Sequence, residues 1–172
     1  MAVVKRCSWV GQDELLVDYH DHQWGHAPVT DVDWFEMLVL ETFQAGLSWR
    51  TVLHKRAEMR VALAGFDWRV LADWGPGQLT ELLRNPGLIR NRRKLESVFF
   101  NARRAKDLSV QYGSLNAYFM YVLPGSSDPL QQLQDDFAQV GRTTAESFMF
   151  ATGLMAPVHD PECFLSGFSV LH

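Results

Sequence analysis

Apolar residues recur at spacings of three and four along most of the chain, and strict apolar–polar alternation is scarce, so the pattern predicts an all-α fold. Thr30 or Asp31 can cap a helix that runs to about residue 45, where Gly46 ends it, and Ser48 can cap another that runs to about residue 63. After the joints Ala64-Gly65 and Gly75-Pro76-Gly77, shorter helices are expected to open at Asp67 and Gln78. The second of these meets a break at Asn85-Pro86-Gly87. A long basic helix is expected over 90–107, which makes a helix–hairpin–helix element of about 78–107. An aromatic segment, SLNAYFMYVL, then leads into PGSSDP, read as an exposed turn. Two last helices are expected over about 130–137 and 143–152, the second stopped by Gly153.

A chain of 172 residues, 47% of them hydrophobic, is expected to form one domain, 1–172, with a sizeable core, which excludes a disordered protein. No run reaches the roughly 18 apolar residues of a membrane helix, and MAVVKRCSWV lacks an apolar stretch of signal-peptide length. The reading is therefore cytoplasmic with no membrane partner, and a disulfide between Cys7 and Cys163 is not expected there. The net charge of −4 argues at first against nucleic acid, yet it is unevenly spread. Residues 84–106 carry eight basic residues against Glu96 alone, a net of +7, which leaves −11 on the rest. Such a block is either a solvated helix face or the footprint of an anionic partner.

Four groups of residues carry candidate chemistry. Glu41 lies within WFEMLVLETFQAGLSW, a helix apolar on nearly every face, so its carboxyl must find partners in the core or change its pKa; Glu36 is expected in solvent. Trp9, Tyr19, Trp24, Trp34, Phe35, Phe43 and Trp49 gather in the same part of the chain, either as plain core or as the stacking walls of a pocket for a planar heterocycle. Cys7 and His20, with His159 and Cys163, form two short-range pairs. They either coincide by chance or complete a Cys2His2 zinc site that ties the chain ends together, with Asp21 or Asp160 orienting an imidazole. Four protein ligands leave no open position, so such a site is structural. NPGLIRNRRKL, finally, can turn free backbone N–H groups toward a phosphate, with Arg and Lys close behind.

In this order and at this spacing RCSWV, YHDHQWG, FEMLVLETFQAGLSWRTVL, GLIRNRRK followed by NAR, and VGRTTAESFMFATGL with HDPEC behind it resemble the 3-methyladenine DNA glycosylase I family, over most of the chain. The resemblance implies a helix–hairpin–helix glycosylase fold in which one structural zinc ion, held by Cys7, His20, His159 and Cys163, joins the terminal segments. It implies that Glu41 and Tyr19 read the edge of a damaged base and that Trp9, Trp24 and Trp49 cover its faces. It also implies that the hairpin from Gly87 through Arg90, Arg92, Arg93 and Lys94 grips the DNA backbone, with Leu47 as the wedge entering the emptied stack. The implied activity is hydrolysis of the N-glycosidic bond of 3-methyladenine, leaving an abasic site. The implied partner is double-stranded DNA containing alkylated adenine, bound by a monomer.

Neither a general base nor a lysine nucleophile is assigned. One departure concerns the segment before Val140-Gly141, which looks shorter than in the family and carries Asp135-Asp136 in place of basic residues; it is expected off the DNA-facing side. Competing readings are a lesion-binding protein of the same fold without turnover and a zinc-stapled interaction module. A zinc hydrolase with an open metal position is opposed by Cys163, the fourth ligand.

Overall fold

A computed structural model describes residues 4–167, and among them every regular element is helical. The ends of the domain expected over 1–172, residues 1–3 and 168–172, lie outside the described residues. The helices are α1 (Glu14–His22), α2 (Asp31–Gln44), α3 (Trp49–Ala62), α4 (Trp68–Leu71), α5 (Pro76–Arg84), α6 (Arg92–Tyr112), α7 (Leu115–Ala117), α8 (Pro129–Asp136) and α9 (Arg142–Ala151). A π-helical turn at Tyr118–Val122 follows α7.

Local chemistry accounts for most of these boundaries. Thr30 and Asp33 form a reciprocal capping box at the start of α2, and Ser48 accepts from the Thr51 N–H at the start of α3. Pro76 fits the first turn of α5, where its missing N–H costs nothing, so this helix begins two residues before Gln78; the Gln78 side chain instead accepts from the Gly75 N–H. The expected start of the basic helix at Arg90 moves to Arg92 because Asn91 takes the cap, and α6 continues to Tyr112, where Gly113 turns at φ +91. Helix α1 has no counterpart among the expected elements, although Asp13 caps it and Leu16, Tyr19 and His20 put a buried stripe at spacings of three and four.

Helix α2 is the centre of the molecule. Every residue from 34 to 43 is buried, and α3, α6, α7 and α9 pack around it. Trp34 stacks on Phe119 with ring centroids 4.8 Å apart and donates its Nε1–H to Asn116 Oδ1 at 2.7 Å, which joins α2 to the segment after α6. Burying each such aromatic side chain stabilises the fold by about 1.5–3 kcal/mol. Glu36, expected in solvent, lies within this core at 1% exposure, where Arg56 Nε donates to it at 2.8 Å and Arg60 completes the pair. A long side chain on α3 thus reaches what periodicity alone assigns to water.

Asp136 is drawn into the core in a similar way. It is buried, and it accepts from Arg104, from the Tyr118 hydroxyl at 2.6 Å and from Gln132 at 2.7 Å, so only Asp135 of the acidic pair is exposed. Arg104 on α6 and Tyr118 hold this carboxylate below its usual range despite its burial.

The ends of α1 and α9 meet where two glycines touch. The Gly25 N–H donates to Ala151 O at 2.8 Å, and a Cβ on Gly153, whose φ is +68, would stand 2.5 Å from the Gly25 carbonyl oxygen. Gly153→Ala is therefore expected to cost about 1–3 kcal/mol and to lower the melting temperature, whereas Gly77→Ala, inside α5 and facing open space, should leave it unchanged or slightly raised. Thermal melts of the two variants check this.

Candidate functional site

Four short pieces of backbone converge on one side of α2. The turn carrying Trp9, helix α1 with Tyr19, the residue Trp24 just beyond it, and the first turn of α3 with Trp49 bring their aromatic rings together. Tyr19 and Trp49 stack at 4.9 Å and 30°, while Trp9 meets Trp24 edge to face at 5.5 Å and 75°. Trp9 and Trp49 line the mouth of an open cleft of about 710 Å³, together with Gln12, Asp13, Gln44 and Arg50. Tyr19, stacked on Trp49, and Glu41 do not themselves line the cleft.

Glu41 and Tyr19 are both within 1% of complete burial, and the two carboxyl oxygens and the phenolic oxygen have no hydrogen-bond partner among the described residues. Buried polar atoms ordinarily find partners, and each one left unpaired costs about 1–3 kcal/mol. Burial pushes the Glu41 carboxyl from the usual 4.5 up to about 8, only partly offset by the nearby Ser147 hydroxyl. Burial, reinforced by the Glu41 charge, raises the Tyr19 phenol well above its ordinary value, so it stays neutral. The pair therefore presents one acid that is protonated at neutral pH and one hydroxyl, both able to donate to or accept from something inserted beside them.

Cys7, His20, His159 and Cys163 come together with their ligand atoms within 4.8 Å of one another. A tetrahedral ion with bonds of about 2.3 Å to sulfur and 2.0–2.1 Å to nitrogen sets its sulfur and nitrogen ligands about 3.5–3.6 Å apart. The separations here are 3.5 Å for Cys7 Sγ to His159 Nδ1, 3.5 Å for Cys163 Sγ to His20 Nε2 and 3.6 Å for Cys163 Sγ to His159 Nδ1, so the four residues fit a metal ion. Of the two acids expected to orient an imidazole, Asp21 does so, 2.8 Å from His20 Nδ1 and itself clamped by the Arg6 guanidinium. Asp160 serves the sulfur side: its N–H donates to Cys7 Sγ, and its carboxylate accepts from the Ser8 N–H. The cluster also supports the aromatic wall, since Trp9 packs on the His20 ring at 5.4 Å and Trp24 on the His159 ring at 4.8 Å.

The turn between α2 and α3 projects Leu47 at 37% exposure, with Gly46 at φ +79 allowing the reversal and Gln44 bracketing it from both directions. The hairpin between α5 and α6 keeps its Arg90, Arg92 and Arg93 side chains exposed. Its N–H groups differ from the expectation at Gly87, which donates to Asn85 Oδ1 at 2.8 Å; those of Ile89 and Arg90 have no acceptor among the described residues. Lys94 is turned inward and bonds backbone carbonyls. Of the basic block, Arg104 pairs with Asp136 and Arg92 lies 3.5 Å from Glu96, which leaves Arg90 and Arg93 as the hairpin cations without an acidic partner among the described residues.

The pattern of methyladenine glycosylases matches residues 9–135. A DNA-3-methyladenine glycosylase of Haemophilus influenzae is 43% identical over 98 residues, covering 57% of this chain and 53% of that protein. DNA-3-methyladenine glycosylase 1 of Escherichia coli is 41% identical over 100 residues, covering 58% and 54%. The chain thus spans about half the length of these curated relatives. The likeness to solved structures runs further: a crystal structure of 3-methyladenine DNA glycosylase I has a TM-score of 0.82 at 34% identity, covering 93% of this chain and 98% of that one. A Staphylococcus aureus 3-methyladenine DNA glycosylase I, solved to show how it recognises 3-methyladenine, has a TM-score of 0.83 at 26% identity, covering 94% and 96%. The architecture is that of a helix–hairpin–helix DNA glycosylase. Within that class, the chain belongs to the methyladenine glycosylase family.

The buried acid has a consequence for stability. A carboxyl raised to about 8 in the folded protein contributes stability that is fully present below 4.5 and lost as pH rises through 8, because ionisation is opposed only in the folded state. Against the parent, Glu41→Gln should gain in melting temperature as pH goes from 5 to 8, by at least about 2–4 °C per kcal/mol removed. Paired melting curves across that range measure it.

Proposed function

We propose that this chain is a DNA-3-methyladenine glycosylase, which hydrolyses the N-glycosidic bond of 3-methyladenine in alkylated double-stranded DNA and leaves an abasic site. The observation that carries the reading is the unpartnered carboxyl of Glu41 beside the unpartnered hydroxyl of Tyr19, buried behind aromatic walls in a chain of the methyladenine glycosylase family. An enzyme that acts on a base must take it out of the helix, at a cost of a few kcal/mol. In this reading Leu47 enters the emptied stack, while Arg90, Arg92, Arg93 and the free hairpin N–H groups hold the backbone.

Methylation at N3 makes the adenine ring cationic and weakens its glycosidic bond, so binding supplies much of the rate. Trp49 parts from the Tyr19 ring to admit the base and covers one of its faces, and Trp9 and Trp24 complete the walls. Each aromatic face favours a cation by about 0.5–2 kcal/mol. A cationic ring beside Glu41 stabilises the carboxylate and so expels the proton held in the empty site, a charge match that neutral adenine does not offer. Tyr19, always neutral, contributes a hydrogen bond to the base edge. Water then attacks the sugar without a lysine adduct and without strand cleavage.

The Cys7, His20, His159 and Cys163 cluster is read as holding one zinc ion, since two thiolates and two imidazoles in tetrahedral spacing are the donor set that zinc favours. The ion supplies no reacting position; it fixes the terminal segments and, through His20 and His159, the Trp9 and Trp24 wall. Among the described residues no helix is long and apolar enough to cross a membrane, and the protein is proposed to act as a cytoplasmic monomer.

Incubation with methylated DNA should release 3-methyladenine and leave alkali-labile sites; a parent that releases no base would sink the reading. The value of kcat/KM should rise with pH by up to about tenfold per unit and level off near 8, where free Glu41 ionises. Glu41→Gln should be about a hundredfold slower and lack that rise. Metal analysis should return one zinc per chain, and Cys163→Ser or chelation should lower the melting temperature by more than about 4 °C.

A further inference from the structure

Lys94 stands in the basic hairpin, where a phosphate contact is the natural expectation, yet its amine is engaged elsewhere. Nζ donates to the carbonyl oxygens of Phe43 at 2.8 Å and Ala45 at 2.5 Å, 51 and 49 residues away in sequence. These carbonyls belong to the last turn and cap of α2, among the groups that a helix leaves without an internal partner, and α2 has no basic residue of its own in that turn. An ammonium placed there both satisfies the free acceptors and sits at the negative end of the helix dipole.

A second tie joins the same two regions from the other side. Lys55 Nζ on α3 donates to Pro86 O at 3.1 Å, Asn85 Nδ2 donates to Glu58 Oε1 at 2.9 Å, and Gly87 comes so near that a Cβ there would stand 2.4 Å from Glu58 Cγ. The hairpin therefore grips the end of α2 through Lys94 and the middle of α3 through Lys55 and Asn85. Between those two helices lies only the exposed turn that carries Leu47, which begins at Ala45, four residues after Glu41.

We propose that Lys94 is a positioning residue rather than a DNA contact: it locks the α5–α6 hairpin to the α2–α3 turn, so that capture of the backbone by Arg90 and Arg93 sets where Leu47 enters the duplex and where the flipped base meets Glu41. The lock is local and strong because the amine is half-buried; burial also lowers its pKa, yet two carbonyl acceptors retain the ammonium as their donor. A lysine given to a phosphate would leave both carbonyls of the turn unpaired, and the turn would lose its register to the hairpin.

This inference rests on the glycosylase reading, and the test separates the two. The full chain is titrated against a duplex bearing an abasic site with 2-aminopurine opposite it, at several salt concentrations, and single-turnover release of 3-methyladenine is measured at saturating alkylated DNA. Lys94→Met should keep the parent's slope of log affinity against log salt. Its 2-aminopurine signal at saturation should fall, and release should slow at least about tenfold, as expected for a displaced but bound substrate. Lys94→Arg should recover part of both.

A salt slope shallower by about 0.9, the mark of one lost phosphate contact, would make Lys94 a backbone contact and overturn the proposal. Parent-like fluorescence and release in a folded Lys94→Met would overturn it as well. Should Lys94→Met melt below the assay temperature, Lys94→Gln, which keeps one donor, takes its place; if that variant is also unfolded, the residue serves stability alone and the proposal fails. A parent that binds the duplex but releases no base fails the glycosylase reading only, since slope and fluorescence still decide the role of Lys94. A parent that does not bind the duplex fails both.

Discussion

An acid that cannot ionise cheaply is placed in the fully buried core of the chain, and much of the architecture exists to hold it there. Glu41 projects from a helix buried among largely apolar neighbours, and its oxygens, with that of Tyr19, are left unpaired. Isolated, such a group would be expelled or would loosen the core. Here the rings of Trp34, Phe119 and Phe148 and the surrounding aliphatic side chains pack α2 tightly enough to outweigh that penalty. The unpaired oxygens are then an unmet demand for a hydrogen-bonding partner, which a polar group inserted beside them can satisfy.

The second constraint is that the aromatic wall has little support of its own. Trp9 sits in an irregular segment near one end of the described chain, and Trp24 follows a short helix. What steadies them is the cluster of two cysteines and two histidines, which draws residue 7 to residue 163 and presents imidazole rings as a floor. The close approach of Gly25 to Gly153 sits beside this junction and serves the same purpose with backbone alone. Distant ends of the sequence thus meet to build one side of a pocket whose other side is the central helix.

How far the sequence reveals this follows from the range of each interaction. Caps and breaks act over a few residues, so α2, α3, α8 and α9 fall within a residue or two of expectation, and so does the Asn85-Pro86-Gly87 break. The cluster of Cys7, His20, His159 and Cys163 was legible from residue type and spacing together with a family resemblance. Contacts made by long side chains over large separations were not. Arg56 and Arg60 bury Glu36, Arg104 buries Asp136, and Lys94 crosses to α2 rather than facing outward. Periodicity describes where a backbone faces, whereas these side chains reach past that face to a partner that no local pattern names.

The pairing of Arg104 with Asp136 also alters how the molecule looks from afar. Cancelling one charge of each sign leaves the total at −4 and takes one cation out of the basic block, so that Arg90 and Arg93 at the hairpin and Arg103 and Lys106 along α6 carry its exposed positive charge without an acidic partner among the described residues. The chain therefore carries its positive charge unevenly. A polyanion repels most of its surface and attracts a single spot, so electrostatics supplies orientation before contact more than it supplies grip. Under the glycosylase reading, collisions in other orientations would be brief, and release from one stretch of polymer would break few electrostatic contacts.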